Sequence, residues 1–164
     1  MKLKLVSLRS KPSGSEDDAL QQACRFLGYR PRSEAEVKSY LLGRGFSTAR
    51  AEATLAKLRS LNYLDDESFA RDWVRSRSEG HGYGPKKIAQ ELQTRGIAEA
   101  LVRSVVRETF GPGAEAAKAK ALLKKKFPKR KFDDPKTLRR AAALLQSYGY
   151  RHSIISDLLN IPED

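Results

Sequence analysis

One spacing recurs three times along this chain and limits its fold more than any other feature. Gly45, Gly96 and Gly149 stand 51 and 53 residues apart. Four residues before each glycine is a leucine: Leu41, Leu92 and Leu145. Eight before stand Val37, Ile88 and Ala141; one after, Phe46, Ile97 and Tyr150; six after, Ala51, Val102 and Ile155. Apolar positions four and eight residues before a glycine describe a helix with one buried face. The glycine then supplies the left-handed backbone that a helix C-terminus needs. Ser33, Gly84 and Thr137, twelve residues before the glycines, are tolerated at a helix N-cap. The pattern predicts an all-α fold of three tandem units: a long helix, a helix ending at the glycine, and a third helix. Boundaries fall at 16–64, 65–112 and 113–164, preceded by an arm over residues 1–15 that alternates weakly (Leu3, Leu5) before "SKPSGSE". Repeats of this size that share apolar faces with their neighbours form extended arrays.

The remaining apolar residues keep helical spacing. Leu20, Ala23, Cys24 and Leu27 mark the first helix, so Cys24, the one cysteine, is placed in its core. A single cysteine makes no internal disulfide and fits a reducing compartment. "MKLKLVSL" is too short and too charged for a signal peptide or a membrane span, so a cytoplasmic protein is expected.

The chain has 164 residues and a net charge of +12. That charge points to a polyanionic partner, most plausibly nucleic acid. It is concentrated: between Lys118 and Arg140 there are eleven basic residues against two acidic ones, Asp133 and Asp134. Lys124, Lys125, Lys126, Lys129, Arg130, Lys131, Arg139 and Arg140 are therefore the candidate nucleic-acid contacts. Within this run Phe127 and Phe132 flank "PKRK" (128–131) and are read as core rather than base-stacking residues.

"GHGYGPKKIAQELQTRGI" (80–97) raises the question of a phosphate-binding loop. The Gly-x-x-x-x-Gly-Lys-Ser/Thr spacing is missing, and no strand precedes the glycines. Gly84 instead fits an N-cap and Pro85 the first helical position. On the helix that follows, Ile88 and Leu92 share one face, while Lys86, Lys87, Gln90, Gln93 and Thr94 fill the other. Two lysines at the positive end of a helix dipole, beside Tyr83, suit either a partner's phosphate or carboxylate or simple solvation.

In "YLDDESFARDWVRSR" (63–77) the acids Asp65, Asp66 and Glu67 read as the capped start of a helix. Its core face is Phe69, Ala70, Trp73 and Val74. Arg77 projects onto that face and is expected to pair with a carboxylate or helix-end carbonyls. Arg71 and Arg75 project away, towards a partner. His81 and His152 have no matched nucleophile, and no His or Cys spacing suggests zinc, so neither catalysis, cofactor nor metal is expected.

Residues 63–77, followed by "GYGPKKIAQELQTRGI" (82–97), closely resemble the signature of the RecX family of recombination regulators. "SEAEVKSYLLGRGF" (33–46) resembles its first repeat, and the resemblance spans about residues 16–160. In the third repeat the family tends to have basic residues before the Gly-aromatic pair, where this chain has Ser147-Tyr148-Gly149-Tyr150. The resemblance implies three tandem three-helix repeats in an elongated, curved array, with no catalytic site. It implies a cytoplasmic monomer acting in DNA recombination, DNA repair and the SOS response. Such a protein binds the RecA filament on single-stranded DNA and suppresses its ATPase and strand exchange. Arg71, Arg75, Tyr83, Lys86, Lys87 and Gln90 are the candidate RecA contacts. The alternative is a basic helical nucleic-acid-binding module that acts without RecA.

Overall fold

The computed structural model describes residues 15–128, 132 and 134–161. Among these residues every regular element is helical. The helices are α1 (Glu16–Tyr29), α2 (Glu34–Gly43), α3 (Thr48–Ser60), α4 (Asp66–Arg75), α5 (Pro85–Thr94), α6 (Glu99–Thr109), α7 (Ala114–Lys126), α8 (Pro135–Ser147) and α9 (His152–Leu159). A π-helical turn, Ser76–Gly80, continues α4. Apart from Ser15, the expected arm lies outside the described residues.

Local chemistry fixes many of the helix starts. Ser15 and Ser33 form capping boxes with Asp18 and Glu36, each side chain bonded to the other residue's backbone N–H. Ser47 caps α3 through the N–H of Arg50. Gly84 and Pro85 open α5 as its N-cap and first residue. In the third repeat the cap is Asp134, not Thr137: Asp134 accepts the N–H of Thr137 at 2.8 Å, with Pro135 opening the helix. The Asp-Pro pair starts α8 three residues earlier than the spacing suggests, and Thr137 is buried inside it.

The three glycines end their helices identically. Gly45, Gly96 and Gly149 have φ of 91°, 75° and 86°. The N–H of each bonds the carbonyl three residues back, and the next residue bonds the carbonyl of the repeated leucine: Phe46 to Leu41 (3.2 Å), Ile97 to Leu92 (3.1 Å), Tyr150 to Leu145 (3.1 Å). This is the Schellman arrangement, which satisfies the orphan carbonyls of a helix end. All four repeated apolar positions are buried in all three repeats. They anchor three separate cores, around Val37/Leu41, Ile88/Leu92 and Ala141/Leu145.

The helices fall into two compact units divided between Asp65 and Asp66. The first holds α1–α3. There Ala19 and Ala23 are the fully buried residues of α1, whereas Cys24 is exposed. Cys24 lies one residue, about 100°, round the helix from Ala23, which carries it off the apolar stripe.

The second unit holds α4–α9 and two of the cores, which meet backbone to backbone. The N–H of Gly84 donates to the Tyr148 carbonyl (2.7 Å) and that of Lys86 to the Gly149 carbonyl (3.0 Å). The positive end of α5 thus faces the negative end of α8. A Cβ on Gly84 would lie 2.7 Å from the Gly149 carbonyl, and one on Gly149 would lie 2.5 Å from the Lys87 nitrogen. The Tyr150 hydroxyl donates to the Gly82 carbonyl (2.9 Å). Burial, together with the Glu115 carboxylate, pushes that phenol up to about 12.

A second tie joins α7 to α9. The side chain of Glu115 is 2% exposed. One oxygen accepts the Arg151 backbone N–H (2.8 Å) and the other its guanidinium (2.6 Å). Arg151 is the N-cap of α9 and has no side-chain cap bond there, so Glu115 supplies the acceptor from another helix.

Three glycine substitutions separate the two costs of adding a Cβ. Gly113 has φ +78° and open space, so Gly113→Ala is expected to cost only the left-handed backbone, about 1 kcal/mol. Gly84→Ala meets backbone at an ordinary φ and is expected to cost on the order of 2–3 kcal/mol. Gly149→Ala combines both penalties, roughly 3–4 kcal/mol. Urea unfolding midpoints ranked Gly149, Gly84, Gly113 from lowest to highest would match; equal losses at Gly84 and Gly113 would not.

Alkaline titration tests Tyr150. A phenol raised from 10.0 to about 12 keeps its proton in the native state after the unfolded chain has lost it. Its contribution to stability is therefore whole below about pH 10 and lost as pH rises through about 12. Tyr150→Phe is expected to remove one late-titrating phenol from the 295 nm absorbance and to flatten the fall in stability over that window.

Candidate nucleic-acid and protein interfaces

The arginines of the middle repeat are largely engaged with neighbouring acids. Arg77 bonds Glu91 (3.0 Å) and lies 4.3 Å over the Trp73 ring. Arg95 covers the same ring at 3.9 Å, and the Trp73 indole N–H donates to Glu91 (2.9 Å). Arg77 thus has the carboxylate partner the sequence suggests. Trp73 is half-buried between two guanidiniums.

Arg71 points outward but is held by Glu67 and Glu108. Hydrogen bonds to Glu108 and then Glu67 raise its pKa further, while the bond to Arg71 holds the Glu108 carboxyl below its usual range. Arg75 pairs with Asp72, and both are well exposed. Gln90 and Lys86 are exposed.

Tyr83 and Lys87 sit in the seam between the middle and third repeats. Tyr83 packs edge-on against Tyr148 at 5.6 Å, and the Lys87 ammonium lies 4.0 Å over the Tyr83 ring and 5.8 Å from Tyr148. The backbone N–H groups of Gly84 and Lys86 are taken by the Tyr148 and Gly149 carbonyls, so those two donors are closed to an outside anion.

In the third repeat Lys124, Lys125 and Lys126 end α7, and Arg139 and Arg140 lie on α8; all five are exposed. Lys129, Arg130 and Lys131 lie outside the described residues. Phe127 and Phe132 pack on the third core, ring to ring at 5.8 Å.

Two clefts of opposite character flank the seam. The first, about 490 Å³, separates α7 from the Ser78–Gly82 stretch. Lys118, Lys125 and Lys126 line it from one face of α7, opposite Glu79 and His81. These lysines have no acidic partner among the described residues. The sequence singles out Lys125 and Lys126 but misses Lys118, although the 118/122/125 spacing puts it on their face. The second cleft, about 390 Å³, opens between α5 and α6 over Ala89, Val102, Val106 and Phe110. Lys86, Arg103, Arg107 and Arg151 rim it; only the first stands out in the sequence, because the rim assembles from α5, α6 and the N-cap of α9. No group of three or more His, Cys, Asp or Glu that could hold a metal occurs among the described residues. No described helix is long and apolar enough to cross a membrane.

Comparison with known proteins gives this architecture a family. Residues 19–58 match the first three-helix domain of RecX, and residues 65–106 match the second. The regulatory protein RecX of Mycolicibacterium smegmatis is 30% identical over 155 residues, covering 92% of this chain and 82% of that protein. That of Mycolicibacterium vanbaalenii is 32% identical over 142 residues, covering 82% and 77%. The crystal structure of RecX from Lactobacillus salivarius superposes with a TM-score of 0.75 at 19% identity, over 88% of this chain and 94% of that one. A further crystal structure of regulatory protein RecX gives 0.71 at 23% identity, over 88% and 71%. These two show the shared all-helical fold. With its glycine-punctuated three-helix domains and relatives matched over most of its length, the chain belongs to the RecX family of regulatory proteins, a family of regulators rather than enzymes.

Proposed function

We propose that the chain binds the RecA recombinase filament on single-stranded DNA as a monomer and lowers the filament's ATPase and strand exchange without chemistry of its own. RecX membership supports the regulatory role. The observation that carries the DNA side is the lysine-lined cleft of the third repeat. Lys118, Lys125 and Lys126 line one side of it from α7 without an acidic partner among the described residues, across from the Ser78–Gly82 stretch with Glu79 and His81. Point charges on flexible stems suit a phosphodiester backbone without reading its sequence. On this reading Lys124, Arg139 and Arg140 extend the same field over the surrounding surface. The protein side falls to the exposed residues of the middle repeat, Arg75, Lys86 and Gln90, with Arg71 held beside them in the Glu67–Glu108 network. Tyr83 and Lys87 act indirectly, by holding the seam.

The direct test is RecA ATP hydrolysis on single-stranded DNA, titrated with the protein. Substoichiometric inhibition and shorter filaments are expected. An unchanged ATPase at excess folded protein, with oligonucleotide binding intact, would favour the basic module acting without RecA.

The division between the repeats has its own test. Each phosphate neutralised contributes roughly 0.7 to the slope of log affinity against log salt on single strands. Changing Lys118, Lys125 and Lys126 together to Gln is expected to flatten that slope by up to about 2. Arg75→Glu with Gln90→Glu is expected to weaken RecA inhibition and leave the slope unchanged. Proportional losses from both sets would mean one continuous basic surface with no specialised repeats.

A further inference from the structure

The cleft between α5 and α6 is unlike the lysine cleft, and its chemistry selects a different occupant. Its floor is apolar: Val102 and Val106 of α6 and the C-cap Phe110 follow one another at i, i+4 and i+8, facing Ala89 of α5, with Val106 and Ala89 partly exposed over the buried Val102 and Phe110. Its rim is cationic, with Lys86 on one side and Arg103 and Arg107 one turn apart on the other. Glu99 is the one acid in the lining, and it is committed to Arg103 at 2.7 Å. Lys86 and Arg107 have no acidic partner among the described residues. Arg151 bonds Glu115, yet its side chain remains 55% exposed at the cleft margin.

We infer that this cleft is a docking groove for an acidic amphipathic helical segment of a partner protein, its aliphatic face on Ala89 and Val106 and its carboxylates on Lys86 and Arg107. A ridge at i, i+4, i+8 is the surface into which another helix packs its own i, i+4 row. The cationic rim sets the sign of the flanking residues. A nucleic acid fits poorly, because Phe110, the one ring in the lining, is buried and offers a base no stacking platform. A second copy also fits poorly, since the chain carries +12 and would bring like charge to the rim. The inference rests on the proposed reading only for the source of the segment, the RecA protomers of the filament.

The test uses the full chain with a benzophenone amino acid in place of Gln93, which lines the groove. After irradiation with RecA filaments on single-stranded DNA, adducts are mapped by mass spectrometry. Adducts on an acidic, aliphatic-faced segment of RecA are expected. Adducts on the oligonucleotide, or between copies of the chain, would overturn the inference.

In parallel, Ala89→Leu fills the groove and Lys86→Glu with Arg107→Glu reverses its rim. Circular dichroism checks the folding of each variant. Either change is expected to weaken filament binding at least tenfold while oligonucleotide affinity moves less than twofold. Wild-type filament binding by both variants, with no RecA adduct, would overturn the groove and leave RecA regulation standing. If the unaltered chain binds no filament at all, the proposed function fails, and the groove is judged with a labelled peptide carrying Leu at i, i+4 and i+7 and Glu between. Binding lost in Ala89→Leu would support the groove; no binding would overturn it.

Discussion

Two backbones meet where no side chain fits, and both candidate sites depend on that contact. The turn after α8 lies against the start of α5 so closely that a Cβ on Gly84 or Gly149 would enter the other chain segment. Two N–H···O=C bonds and the Tyr150–Gly82 bond hold it. The opposed helix dipoles add attraction of a few tenths to about 1 kcal/mol. This seam fixes where α7 stands relative to the Ser78–Gly82 stretch, and hence where Lys118 and Lys125 face the loop. It also brings Arg151, from the third repeat, to the edge of the α5–α6 groove. Neither cleft is the property of one repeat.

The seam also gives the residues before the last Gly-aromatic pair a role in this chain. Here Ser147 and Tyr148 stand in those places, and Tyr148 offers a ring to Tyr83 and to the Lys87 ammonium. Two lysines at a helix N-terminus are unfavourable taken alone. Lys87 is accommodated because its charge rests on aromatic faces.

What was legible in the sequence follows from what is local. The glycines, the leucines four before them and the aromatic or aliphatic residue after them are set by helix geometry and one turn type, so their burial could be read from spacing. Arg77 was legible too, because its projection onto an apolar face demanded a partner. Cys24 was misplaced because apolar residues at 20, 23, 24 and 27 do not reveal the stripe's centre, which lies at Ala19 and Ala23. Asp134 was missed because counting back from a glycine assumes equal helix lengths. The closed N-terminus of α5, Lys118, Arg107 and the Glu115–Arg151 bond were illegible for one shared reason. Each depends on how two repeats or two distant helices are placed in space, and single-chain periodicity carries no information about that.

The two kinds of cation divide in a way that bears on function. In the middle repeat the cations of α4, its π-helical continuation and α6 are arginines; Arg71, Arg75, Arg77 and Arg103 hold carboxylates, and Arg107 faces the groove. A planar guanidinium fork loses little freedom on meeting a carboxylate and is well suited to fixing one helix against another. On α7 the charges are lysines, and those in the cleft hold no acid. An ammonium on a four-carbon stem stays hydrated and mobile, and exposed lysines of one sign repel one another by an amount that salt reduces. Such a stripe contributes little to folding. Its cost is relieved when a polyanion replaces the water and small ions around it, which is the condition for salt-dependent binding. Between α4 and α7 the difference is therefore one of residue type as well as of place: paired arginines on the first, open lysines on the second. The open lysines lie on the helix that the glycine seam holds against the middle repeat.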